Sequence, residues 1–217
     1  MPAGVDLRRD QNLAGEHMQP TPGYPIVLST GRPVSVSRFW AIPIVGILVK
    51  AIILIPHFIV LYVLGIVLGL ASLVIWAFVL FTGQYPEWGF NLTAGVLRWW
   101  ARLLIYLYGL SDAYPAFSME APGDIAIPRP ETSSRFWAIP IVGIFVKYII
   151  LIPHFIVLYV LGIVVGICQL VIWIPVLFAG EYPQWAFQLV SGYTLWTVRV
   201  YAYLLGLTDA YPPFSFT

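Results

Sequence analysis

Charge is scarce in this chain. Ten acidic and eleven basic side chains among 217 residues make up only 10% of the sequence, where soluble domains carry about a quarter. A formal net charge of +1 leaves no basic excess to neutralise a polyphosphate backbone, so no nucleic-acid partner is expected. A single cysteine, Cys168, excludes an internal disulfide framework and a multi-thiolate metal site. Within "VVGICQLVIW" it reads as a small apolar residue. The N-terminus has Arg8 and Arg9 but no apolar stretch behind them, so it does not read as a secretory signal. It reads as a polar tail punctuated by proline and glycine. No Walker loop, HExxH, GxSxG or DxDxDG pattern occurs. The carboxylates fall in tails, turns and linker, so nothing points to acid–base catalysis and the chain is read as not an enzyme.

Apolar surface, by contrast, is abundant. The chain is 60% hydrophobic with a mean hydropathy of +0.86, which places it among membrane proteins. It is also a repeat. Adding 97 to a residue number in the first half finds its counterpart in the second: Arg38 and Arg135, Lys50 and Lys147, His57 and His154, Ser118 and Ser215. About two-thirds of the aligned positions are identical, so each half is one structural unit. The organisation is a cytoplasmic N-terminal tail (1–37), a first membrane repeat (38–118), a polar linker (119–134) and a second membrane repeat (135–217).

Inside a unit, the apolar run from Trp40 to Phe81 is about twice the ~20 residues that one crossing needs. Pro56 removes a backbone donor and crowds the carbonyl of Ile52, predicting a break there. The expectation is a short interfacial helix over Phe39–Ile55, a crossing helix over Phe58–Phe81, a turn at Thr82–Trp88 and a second helix over Trp88–Leu110. That second helix carries Asn91, Gly95, Arg98, Arg102, Tyr106 and Gly109 on one face. It either spans with this stripe turned toward protein, or lies in the headgroup plane. The fold class is thus all-α integral membrane: two tandem helical hairpins, about four transmembrane helices in all, plus short interfacial helices. Near-identical units joined by a polar linker are expected to share one polarity; a unit dipping from one side without crossing is the alternative. Lysine and arginine precede the first and third long helices and are missing from the turns "TGQYPEW" and "AGEYPQW", which puts both termini in the cytoplasm. The extended pieces "YPIVL" and "AYPAFS" are expected to pair as a small cytoplasmic sheet.

These features resemble a bacterial membrane family known as domain of unknown function 4389. The resemblance rests on "YPIVL", "LIPHFIVLYVLGIV", "FTGQYP", "GVLRWWARLLIYL" and "SDAYPAFS", most of which recur in the second unit. It implies a protein of the bacterial cytoplasmic (inner) membrane and brings no catalytic residues with it. The second unit departs from the pattern at Leu195, where the first has Arg98.

Several residues stand out as site candidates. Gly65 with Gly69, and Gly162 with Gly166, form flat helix faces suited to a helix–helix seam between units or subunits. Lys50 and Lys147 can carry their ammonium groups to lipid headgroups, and Arg98, Arg102 and Arg199 to anionic headgroups or an acidic partner. His57 and His154 either shape the chain after proline or, as the weaker alternative, hold a haem between them; no other cofactor and no metal site is expected. The functional expectation is an integral-membrane scaffold or accessory subunit, partnered by membrane lipids and by other membrane subunits or itself. The alternative is a small anion channel or transporter lined by the arginines.

Overall fold

The computed structural model describes residues 24–28, 33, 37–38, 45–120, 125–139 and 141–216. The proposed tail, with His17, lies almost wholly outside them. Among the described residues five helices carry the fold: α1 (Val45–Ile53), α2 (Ile55–Thr82), α3 (Glu87–Leu107), α4 (Val142–Ala179) and α5 (Gln184–Leu204). Two short strands, β1 (Val27–Leu28) and β2 (Ile125–Ala126), and a 3-10 turn at Arg135–Ala138 complete it.

The proline break is seen in only one unit. In the first, the helix is interrupted at Leu54 and restarts with Pro56 in its opening turn, where a missing N–H costs nothing. In the second, α4 runs straight through Pro153. Both long helices end at a left-handed glycine, Gly83 (φ 73°) and Gly180 (φ 74°), a conformation that glycine adopts without a Cβ clash. At 28 and 38 residues, α2 and α4 are long and apolar enough to cross a membrane. Most of their circumference is open: on α2 only His57, Leu68, Ile75 and Val79 are buried, a single stripe at helical spacing.

The helices stand in a row, α2–α3–α5–α4. Contacts at Ile75 with Gly89, His57 with Trp99 and, from α1, Lys50 with Tyr106 show α1 and α2 running antiparallel to α3. The two units are joined by α3 against α5, and these too are antiparallel. Tyr85, just before α3, donates its hydroxyl to the carbonyl of Leu205, just after α5, at 3.4 Å. Tyr182, just before α5, donates to the carbonyl of Tyr108, just after α3, at 3.1 Å. These are one contact made twice, as a two-fold axis requires. The same exchange lays the guanidinium of Arg135 over Gly83 and that of Arg38 over Gly180.

This arrangement corrects the expected topology. Four crossings with matched polarity need α3 and α5 to be parallel; because they are antiparallel, crossing helices would place the two units in opposite orientations. A second correction concerns the strands. "YPIVL" pairs not with "AYPAFS" but with the segment after the first unit, antiparallel, Val27 opposite Ala126 and Leu28 opposite Ile125. Leu28 and Ile125 are counterparts under the repeat, so this pair sits on the two-fold axis. The stretch expected as a polar linker also buries Ile125 and Ile127 in the core, since alternate residues of an extended segment face one way.

Candidate functional site

Each unit folds around its Pro-His histidine. His57 is fully buried and its Nδ1 accepts a hydrogen bond from Trp99 Nε1 at 3.0 Å. That bond fixes the neutral tautomer with its proton on Nε2, which lies 2.9 Å from the Tyr114 hydroxyl. Tyr114 in turn donates to the carbonyl of Ile53 at 3.5 Å, in the turn where Pro56 has removed a backbone donor. The Phe117 ring stacks on the imidazole at 3.7 Å and 16°. The second unit repeats the cage: Trp196 Nε1 donates to His154 Nδ1 at 3.0 Å, Phe214 stacks at 3.9 Å and 15°, and Tyr211 donates to Ile150 at 3.4 Å. The cages differ at one atom. His154 Nε2 is buried without a hydrogen-bond partner among the described residues.

The "DAYP" segments act as straps. Asp112 accepts the amide of Ser37 at 2.6 Å and Asp209 that of Ser134 at 2.7 Å, while the tyrosine and phenylalanine that follow close over the imidazole. Lys50 and Lys147, expected at lipid headgroups, are buried, and each donates to a carbonyl in the last turn of the partner helix. Lys50 reaches Tyr106 at 3.0 Å and Lys147 reaches Tyr203 at 2.7 Å. A cation there meets the negative end of the helix dipole and its unpaired carbonyls. Burial lowers the Lys50 pKa from its usual range, and Asp112, 3.9 Å away, partly offsets this.

The three arginines are tied to backbone carbonyls of the extended segments. Arg98 donates to Ile127 at 3.0 Å and Arg102 to Ser118. Arg199, with no exposed surface, donates through Nε and Nη2 to Ile26 at 3.2 and 3.1 Å and lies over the Tyr24 ring. The glycine faces behave differently. A Cβ at Gly65, Gly69 or Gly166 would meet nothing within 4 Å, and one at Gly162 would meet only the Tyr193 ring, its hydroxyl at 3.1 Å. Among the described residues, the other unit therefore does not use them as a seam. The glycines that do admit close neighbours are Gly95 under Met119, Gly192 under Phe216 and Gly89 against Ile75.

Chemically, the arrangement offers two neutral, aromatic-caged imidazoles and several cations that donate to backbone carbonyls. Among the described residues no group of three His, Cys, Asp or Glu side chains could hold a metal ion. For His57 to bind a haem iron, it would have to give up Trp99 or Tyr114. The DUF4389 profile, a domain of unknown function, matches residues 45–119 and 142–215. The chain belongs to this family. Its two DUF4389 copies coincide with the two caged units, each match running from the lysine-bearing helix to the strap. No curated protein and no solved structure matches the chain. The DUF4389 residues that sequence reasoning passed over are Trp99, Tyr114 and Phe117 with their counterparts; their signal was recurrence at the same offset as the histidines.

Proposed function

We propose that this DUF4389 protein is a membrane-embedded scaffold or accessory subunit, which holds other membrane segments, or further copies of itself, by contact and not by chemistry. The observation that carries this reading is the division of labour between surfaces. Lys50, Lys147, Arg102, Arg199 and both Pro-His histidines are turned inward, while α2 and α4 leave Tyr62, Leu70, Phe81, Tyr159 and Phe178 exposed beside the bare Gly65, Gly69 and Gly166. An apolar area of that extent calls for lipid or a protein partner. The family's cytoplasmic-membrane setting, with termini on the cytoplasmic side, is part of the proposal and is supported by the arginines ahead of each long helix.

An anion path lined by arginines has less support, because the donors of Arg98, Arg102 and Arg199 go to carbonyls of the chain itself. The test is extraction of the full chain in a mild detergent, followed by native mass spectrometry of everything that co-migrates. A defined homo-oligomer or a stoichiometric partner is expected. A bare monomer, together with anion flux in proteoliposomes that disappears on Arg102→Ala, would overturn the scaffold in favour of the path.

A further inference from the structure

Resting on that membrane reading, we infer that the chain does not cross the bilayer but lies in one leaflet, its helix row parallel to the membrane plane, one face in hydrocarbon and the other in water. The two faces of the row differ in kind. Around α3, Trp99 and Leu103 point to α2, whereas Leu97, Ala101 and Ile105 point to the core shared with α5. At 100° per residue, two directions remain. Gly95, Arg98 and Arg102 carry the extended segments, through Met119, Ile127 and Ser118. On the opposite side, Val96, Trp100 and Leu104 are covered by no extended segment among the described residues. With Leu61, Tyr201 and Leu205, Val96 and Trp100 border an open apolar groove of about 240 Å³. Among the described residues, one face thus carries the arginines and the extended segments, and the other presents Val96, Trp100 and Leu104.

The two-fold axis decides the orientation. If the helices crossed, antiparallel units would put this axis in the bilayer midplane. The axis passes through Leu28 and Ile125, near where Met119 packs on Gly95. Exposed Glu120 and the ends of the strand pair would then sit at mid-bilayer depth. Non-helical backbone and an exposed carboxylate are not tolerated against lipid at that depth. With the axis along the membrane normal, the whole strap layer faces water and the groove faces acyl chains. Both units then keep the same polarity, as their charge pattern requires.

The experiment uses the full chain with Cys168→Ser and one new cysteine at a time: Gln84→Cys, Glu120→Cys or Glu181→Cys. Each is treated with a membrane-impermeant maleimide in right-side-out and in inverted vesicles. All three are expected to label from the same side only. Labelling of Gln84→Cys and Glu181→Cys from opposite sides would replace the inference with crossing, inverted units. Labelling of Glu120→Cys from the side opposite both turns would replace it with crossing units of one polarity. Failure of the membrane reading itself shows separately, as release of the unmodified chain by an alkaline carbonate wash.

Discussion

Replacing Trp99 by phenylalanine asks whether the imidazole cage holds a unit together. Trp99 is 4% exposed and His57 is 0% exposed, so water cannot replace the indole N–H that reaches Nδ1 at 3.0 Å. Phenylalanine keeps an aromatic ring near Phe117, which meets Trp99 edge-on at 5.9 Å, but it leaves Nδ1 as a buried acceptor with no donor. An orphaned buried group costs about 1–3 kcal/mol. The smaller ring adds a void worth about 1 kcal/mol. A loss of about 2–4 kcal/mol in a chain of this size lowers Tm by roughly 5–15 °C. Trp196→Phe should cost a similar amount, because Trp196 makes the same 3.0 Å bond to His154.

The assay is thermal unfolding of the detergent-solubilised chain followed by far-UV circular dichroism. Trp100→Phe serves as the control: Trp100 is half-buried and meets Tyr201 edge-on at 5.4 Å without entering either cage. It should cost less than about 1 kcal/mol, as substitutions away from such features usually do. If Trp99→Phe and Trp100→Phe melt together, the cage does not stabilise the unit. A histidine nitrogen spectrum gives a second check. Nδ1 of His57 must be unprotonated and Nε2 protonated, and the reverse tautomer would refute the bond direction.

Three further outcomes follow from the same contacts. Because burial lowers the Lys50 pKa, the unfolded chain holds that proton more tightly than the folded one. Stability therefore rises as pH climbs from the lowered value toward 10.5; Lys50→Met should flatten this rise in chemical unfolding, and equal slopes would refute it. A Cβ at Gly143 would overlap the backbone carbonyl of Trp137, whereas one at Gly69 meets nothing. Gly143→Ala should thus lose about 2–3 kcal/mol, while Gly69→Ala should gain up to about 1 kcal/mol from helix propensity; equal melting of the two would contradict this. Arg199→Met removes both donors to Ile26 and should speed hydrogen exchange at the Val27 and Leu28 amides, whereas Arg102→Met, which loses a bond to Ser118, should leave them slow.

Much of the helical layout could be read from the sequence because its signals are local. The α2–α3 turn lies where glycine and proline punctuate the chain, and the break before Pro56 lies within two residues of the proline. The arginine face of α3 was also visible as a stripe. What the stripe faces was not visible, because its partners are main-chain carbonyls of Ile127 and Ser118, and a carbonyl leaves no mark in a sequence. The cage shows the same limit. His57 stood out, but its donor Trp99 is 42 residues away and its stacking partner Phe117 sits in a different element. The relation between the units was hidden for a deeper reason. A tandem repeat shows that two units are alike but is silent on the operation relating them in space, and both parallel and antiparallel packing are compatible with an offset of 97.

The two-fold packing explains where the copies have diverged. Leu54–Val67 and Leu151–Val164 are identical; these residues serve the cage and the open surface, and both units need them in the same form. The sequences of α3 and α5 differ at most positions, although these helices are where the units meet. Near a two-fold axis, a residue packs against its own counterpart, and in a homodimer both must be the same size. Fusing the units in one chain lifts that restriction. Under the 97-residue offset Val96 corresponds to Tyr193 and Leu97 to Thr194, so the two units carry side chains of different size at these positions. Tyr193 reaches over to Gly162 and the Tyr108 ring, while the side with Val96 keeps the open groove beside Trp100 and Tyr201. Two units in one chain are therefore free to differ at corresponding positions: Tyr193 fills the space over Gly162, while its counterpart Val96 leaves a groove beside Trp100.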